Sequence, residues 1–199
     1  MFRLYYDHEA SGDVMFVLID PEAPVDEMRK GRRAAALYSK GRLVGYNIFN
    51  VSKTVKIRSK GMIAAPKEEL LMAVNAILSG GGFEPLPEPT SSGYLEARIL
   101  NLEEHPVDEE AKIVSLSLGE KTAQTVSRYP NLRIGECVVV ETDGCLTYDG
   151  SAFHPFTSRN IRSDVSICSA RELCLGDDNR SAFVIEDGKE GRDFFLGTE

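Results

Sequence analysis

The sequence has no C-x-x-C pair: its four cysteines stand at 137, 145, 168 and 174. Zinc sites usually announce themselves by closely paired ligands, so this spacing speaks against a metal centre and leaves buried free thiols as the plain reading. Walker loop, G-x-S-x-G elbow, zincin helix and dinucleotide fingerprint are all missing, and His8, His105 and His154 stand far apart. No catalytic constellation and no cofactor motif can therefore be read from the chain. The N-terminus lacks a secretory pattern, because Arg3, Asp7, His8, Glu9 and Asp13 interrupt any apolar run before Val14. The longest apolar run nearby, Val14 to Ile19, is strand-sized and too short to span a bilayer. The expectation is a cytoplasmic protein with no membrane association.

Acidic residues are missing from one long stretch. Met28 to Lys67 contains eleven basic residues and no acidic one, the electrostatic footprint of a surface that faces a polyanion. The net charge of -8 hides this asymmetry: residues 1–92 hold 12 Lys/Arg against 11 Asp/Glu, and residues 93–199 hold 11 against 20. The two parts thus carry +1 and -9.

Phe2 to Tyr6 and Val14 to Ile19 are rich in aromatic and β-branched residues and read as two paired strands broken at Ser11-Gly12. The charged segment that follows, to Arg33, reads as a loop or short helix. Ala34 to Tyr38 and Leu43 to Phe49 flank the turn Ser39-Lys40-Gly41-Arg42 and form a hairpin. In Thr54 to Lys60, Val55 and Ile57 point one way and Lys56, Arg58 and Lys60 the other, as in a strand with one basic face. Pro66 to Leu78 is a helix: proline in the first turn, Glu68 and Glu69 at the positive dipole end, and Leu70, Leu71, Val74, Ile77 and Leu78 on one side. Gly80-Gly81-Gly82 ends it. The proline- and serine-rich segment Phe83 to Gly93 has no periodicity, which places a domain boundary near residue 90 and divides the chain into 1–90 and 91–199. Beyond it the pattern is β: Leu95, Ala97 and Ile99 alternate with Glu96 and Arg98, and Val114, Leu116 and Leu118 with Ser115 and Ser117. Thr122 to Val126, Cys137 to Val140 and Ala182 to Ile185 add further strands, a number that suits a small barrel or sandwich.

Ser169 and Glu172 make an S-x-x-E capping box, which predicts a short helix beginning there and ending at Gly176. The same stretch, in the order Arg159, Ser163, Cys168-Ser169, Glu172-Leu173 and Leu175-Gly176, resembles the R-G-V-x-S-x-G-M-x-C-S-x-x-E-L-x-L-G signature of the bacterial tRNA-binding domain. That domain is found in methionyl- and phenylalanyl-tRNA synthetases and in stand-alone proteins. His105-Pro106, Thr125 to Asn131 and Gly135 extend the resemblance, and Gly45 to Asn50 is similar to the segment preceding the domain in small bacterial proteins of the YtpR type. Asn160, Val165 and Ser166 stand where the signature has G, G and M.

The strands and helix read in residues 1–90 make an α+β N-terminal domain; what the resemblance implies for residues 91–199 is an all-β OB-fold, a five-stranded Greek-key barrel with a C-terminal extension. It also implies non-catalytic binding of tRNA or another structured RNA, and a homo-oligomer whose two-fold pairing would double the RNA-facing surface. Asn131, Arg159 and Ser163 match family positions, and Arg128, Arg162 and Ser166 lie among them. These six, with Lys56, Arg58 and Lys60, are the candidate RNA contacts; Ser169 and Glu172 are the structural cap. Each has a plainer reading beside it. Asn131 would stabilise a turn, Arg159 would pair with a carboxylate, and the basic strand face would simply be solvated. A protein-interaction or scaffold module that has lost strong RNA binding is the alternative function, its acidic surface meeting a basic partner.

Overall fold

A computed structural model describes residues 1–198 and divides them into two compact units. The first is Met1–Thr90 with Tyr148–Ser151; the second is Ser91–Thr147 with the chain from Ala152 onward.

In the first unit, strands β1 (Arg3–Tyr6), β2 (Val14–Leu18), β3 (Glu27–Lys30), β4 (Ala34–Ser39), β5 (Arg42–Phe49) and β6 (Gly61–Ile63) form a single sheet in the order β3-β4-β5-β2-β1-β6. Every neighbouring pair is antiparallel. Lys40 and Gly41, with φ of 50° and 77°, make the turn between β4 and β5; positive φ at both central positions matches the twist of a tight hairpin. Gly45, in β5, is demanded by close packing, since a Cβ there would lie 2.5 Å from the Val17 carbonyl oxygen. Between β1 and β2 the chain makes a helical turn, α1 (His8–Ser11), capped by the Asp7 carboxylate, which accepts from the N–H groups of Glu9 and Ala10.

Helix α2 (Glu68–Gly80) forms where the sequence predicts it. Its buried residues Leu71, Val74, Ile77 and Leu78 pack against Leu4, Met15, Val17 and Ile48 of the sheet, each burial being worth about 1.5–3 kcal/mol. The unstructured segment after it is held in place: Asn75 Nδ2 donates to the Leu86 carbonyl at 2.9 Å, and Asn75 Oδ1 accepts from Leu86 N–H at 2.7 Å.

Two expectations for this unit are corrected. Glu27–Lys30 is a strand rather than a loop or helix, fully exposed at the sheet edge, where its charges discourage further pairing. Thr54 to Lys60 is not a strand: a 3-10 turn at Val51–Lys53 is followed by chain without a ladder partner until β6. The alternation persists without the ladder, because Val55 is buried and Ile57 half-buried while Lys56 and Arg58 are exposed. Burial of alternate side chains, not sheet pairing, produces that pattern.

The second unit contains β7 (Tyr94–Glu104), β8 (Lys112–Ser117), β9 (Thr122–Ser127), β10 (Cys137–Glu141), β11 (Phe156–Ser158), β12 (Ile161–Ser163), β13 (Ser166–Ile167) and β14 (Val184–Ile185). Five of them form an antiparallel sheet in the order β13-β10-β7-β8-β9, β14 adds to β10, and β11-β12 is a separate hairpin. Ala97, Ile99, Val114, Leu116, Val138, Val140 and Ile167 make the core.

The expected architecture, an α+β domain followed by a closed OB-fold barrel, is therefore corrected. Among the described residues both units are dominated by antiparallel sheet, the first carries only one long helix, and no sheet closes on itself. The sheet of the second unit stays open at β9, which among the described residues has no ladder partner on its outer side. Its backbone polar groups are met singly: Val126 N–H donates to Ser163 Oγ at 3.2 Å, Gln124 N–H to Asp164 Oδ2 at 3.2 Å, and Asp164 N–H to the Gln124 carbonyl at 2.8 Å. These bonds satisfy the edge without a ladder.

Glu96, which alternation assigns to a solvent face, is 1% exposed. The C-terminal segment covers it: Lys189 N–H donates to Glu96 Oε2 at 2.6 Å and Arg192 Nε to Oε1 at 2.7 Å. The helix expected after Ser169 is also corrected, because residues 170–174 form turns only. The left-handed residue that ends them is Cys174, at φ 55°, instead of Gly176. Cys174 is also exposed, unlike the buried Cys137, Cys145 and Cys168. No helix among the described residues is long and apolar enough to cross a membrane.

Candidate functional site

A groove of about 370 Å³ in the second unit gathers residues from four places in the sequence. Val126 and Ser127 of β9 and Ser163, Ser166 and Ile167 of β12 and β13 form its walls. The loop after β9 adds Arg128 and Tyr129, the β11-β12 hairpin adds Phe156, Ser158 and Arg159, and the connection between β7 and β8 adds His105 and Asp108.

The hairpin that presents Arg159 turns through two left-handed residues, Arg159 at φ 50° and Asn160 at φ 64°. Asparagine tolerates that conformation better than most residues, so Asn160 keeps a turn that glycine makes in the related signature. Arg159 is exposed, and its Nη1 donates to the Val107 carbonyl at 3.5 Å. Arg128 is exposed as well and reaches Asp108, Nη2 to Oδ2, at 2.5 Å. The Arg128 hydrogen bond, reinforced by the nearby charges of Arg128 and Arg159, holds the Asp108 carboxyl below its ordinary range. Phe156, 53% exposed, sets an aromatic face beside these cations.

Beneath the groove lies a polar clamp. Glu172 Oε2 accepts from Ser169 N–H at 2.7 Å, from Ser169 Oγ at 2.7 Å and from Tyr129 Oη at 2.8 Å. Glu172 N–H returns a 3.4 Å bond to Ser169 Oγ. The capping box is thus made, but around a turn and with a tyrosine added. Burial, with Glu172 beside it, pushes the Tyr129 phenol well above its ordinary range.

Of the sequence candidates, Arg128, Arg159, Ser163 and Ser166 line the groove, as does Glu172 of the cap. Ser163 is 1% exposed and spends its hydroxyl on Val126 N–H. Asn131 is occupied elsewhere: its side-chain amide donates to and accepts from the Ala182 backbone, at 2.9 and 2.8 Å. Arg162 turns away and pairs with Asp164, Nε to Oδ1, at 2.6 Å. His105 is buried, its Nδ1 accepting from Val107 N–H at 3.3 Å, which shapes the loop. Tyr129, Phe156 and Asp108 were not legible as members of the groove, since only the pairing of distant segments brings them to it.

The basic block lies in the first unit and is partly neutralised. Arg29 pairs with Glu27, Arg42 with Asp20 and Lys60 with Glu9, acids that lie outside the block in sequence. Lys56 and Arg58 remain exposed and, with Lys67, line a second groove of about 370 Å³ floored by Val55, Ile57, Ile63 and Leu70.

Comparison with known proteins bears on both units. A domain of unknown function, DUF4479, matches residues 29–86. YtpR of Bacillus subtilis (strain 168), provisionally named as a tRNA-binding protein, is 32% identical over 158 residues, covering 76% of this chain and 76% of YtpR. The chain belongs to the YtpR family. Outside YtpR, similarity extends to the phenylalanine–tRNA ligase beta subunit of Sulfurimonas denitrificans, 37% identical over 89 residues, 45% of this chain and 11% of that subunit. The corresponding subunit of Bacteroides thetaiotaomicron is 32% identical over 127 residues, 59% of this chain and 15% of its own length. YtpR is thus matched along most of its length, and the ligase subunits over a small part of theirs.

Proposed function

We propose that this YtpR-family chain binds tRNA without catalysis, in the cytoplasm, through the groove of the second unit, with the exposed cations of the first unit adding phosphate affinity. The observation that supports this most is the meeting of Arg128, Arg159, Tyr129 and Phe156 around one open groove, in a chain whose relatives are named for tRNA. The exposed guanidinium groups and the exposed Phe156 ring suit RNA, because phosphates take the cations and unstacked bases find a ring. Ser163, Asn131, Ser169 and Glu172 act here as scaffold, each engaged with backbone or clamp groups. The buried Nδ1 of His105 serves the loop in the same way.

The test is a salt titration of tRNA binding by the intact protein. If phosphate contacts supply the affinity, log Kd changes with log salt by roughly 0.7 per single-stranded phosphate neutralised, or about 0.9 on duplex. Replacing Lys56 and Arg58 with alanine should flatten that dependence. Arg159→Ala should lower affinity and selectivity among RNAs with a smaller change in slope. Light scattering on the same samples tests the proposed two-fold oligomer. Absence of salt-sensitive binding would remove tRNA as the ligand and favour a basic protein partner.

A further inference from the structure

One cation of the groove, Arg128, already faces an anion of the chain itself. Asp108 sits in the loop joining β7 to β8, which carries three acids in a row, Asp108, Glu109 and Glu110. The loop is built to hold one of them in place. His105 N–H donates to the Ala111 carbonyl at 3.2 Å and Ala111 N–H to the Asp108 carbonyl at 3.0 Å. Val107 N–H donates to His105 Nδ1, and both His105 and Ala111 are buried. Within that frame Asp108 Oδ1 accepts from Glu110 N–H at 3.3 Å and Oδ2 takes the Arg128 guanidinium at 2.5 Å. Arg159 holds the same loop through the Val107 carbonyl. The Asp108 side chain is 17% exposed and its arginine partner 66%, so the carboxylate is the sheltered member of the pair. Glu109 is exposed.

We infer that Asp108 occupies the phosphate subsite of this groove, its carboxylate standing in for a phosphodiester at the Arg128 guanidinium, with Arg159 on the same loop, and that RNA enters by displacing it. The inference rests on the tRNA reading above and adds what that reading lacks, a built-in competitor. A phosphate offers guanidinium the same pair of charged oxygens as a carboxylate, so the exchange conserves the contact. Its energetic consequence is definite. RNA gains one arginine contact and must leave a freed carboxylate nearby, so this subsite contributes little net charge neutralisation in the native chain. Weak ligands are thereby excluded, and only an RNA with enough other contacts opens the site.

The experiment compares tRNA affinity across salt for the intact protein, Asp108→Asn, Glu109→Gln, Arg128→Ala and the double variant Asp108→Asn/Arg128→Ala. Asp108→Asn keeps the shape and the bond to Glu110 N–H but removes the competing charge. It should tighten binding several-fold at low salt and steepen the log-log slope by about 0.7–0.9, one phosphate's worth. Glu109→Gln, which removes the same net charge from an exposed neighbour, should tighten binding much less. In the Arg128→Ala background the Asp108→Asn gain should largely vanish. Equal effects of Asp108→Asn and Glu109→Gln, or a gain that survives loss of Arg128, would overturn the inference and leave the tRNA reading standing. Absence of salt-sensitive binding by every protein would overturn both.

Discussion

Oε2 of Glu172 accepts three hydrogen bonds, from Ser169 N–H, Ser169 Oγ and Tyr129 Oη, so one carboxylate joins the turn at 170–174 to the wall of the groove. Ser169 is fully buried, and removing its acceptor leaves donors that water reaches poorly. Bonds to a charged group contribute about 1.5–3 kcal/mol each way they are broken, and loss of a cap about 0.5–2 kcal/mol. Glu172→Ala should therefore destabilise the protein by about 2–3 kcal/mol and Ser169→Ala by about 1–2 kcal/mol, read as shifts of the urea midpoint. At a temperature where each variant is folded, tRNA affinity should stay within a few-fold of the parent. Full stability combined with lost affinity would show that these residues touch ligand and do not merely hold the groove.

Among the elements, the segment after β14 has the most unexpected part. It contains no regular structure beyond Ile185 among the described residues, yet it covers β7. Asp193 is 4% exposed and accepts from Ser92 N–H and Ser92 Oγ at 2.6 Å and from the N–H groups of Phe195 and Leu196. Phe195 adds an edge contact to the buried Tyr94 ring, centroids 5.2 Å apart. The segment thus works as a structural strap over the sheet. Asp193→Ala removes the acceptor of the buried Ser92 N–H and of the part-buried Phe195 and Leu196 N–H groups, each worth about 1–3 kcal/mol when unmet, and should cost more than about 3 kcal/mol in total. Hydrogen exchange should then rise first in Tyr94 to Glu96 and in the strap. A variant with native protection there would refute the strap.

For the molecule as a whole, ionisable groups set limits on both sides of neutrality. Hydrogen bonds and charge from arginine partners hold Asp20, Asp108 and Asp164 below the ordinary 3.8. A lowered carboxyl favours the folded state above its unfolded value, and that contribution disappears as pH falls through the folded one. Burial raises Tyr129 above its ordinary 10.0 and Cys168 above 9.0. These groups favour the folded state fully below their unfolded values and lose that effect as pH rises through the higher folded ones. Thermal melts should show a plateau near neutrality, a decline below about pH 4 and a second above about pH 9. Because the arginine pairs are exposed, the acid limb should be shallow and shrink further in salt. A melting temperature that climbs steadily from pH 4 to pH 10 would contradict this.

Local pattern was enough for the elements whose stability is local. The Lys40-Gly41 turn, the apolar stripe of α2 and the Ser169–Glu172 exchange each depend on residues a few positions apart, and the chain realises all three. Alternation marked β8 well, because a strand face is buried or exposed by its own register, whereas β3, exposed throughout, and β10, buried throughout, show none. The same rule misread Thr54 to Lys60, where alternate burial occurs without a ladder, and Glu96, whose outward face is covered by a strap almost a hundred positions later in the sequence. Closure of a sheet, the neutralisation of Lys60 by Glu9 and of Arg42 by Asp20, and the meeting of Arg128 with Asp108 and Phe156 all belong to tertiary structure. Sequence specifies each residue's charge and its likeness to a family. Which charges face one another is fixed only when strands distant in the chain pair in one register, since electrostatic and packing energies depend on separation in space and not along the chain.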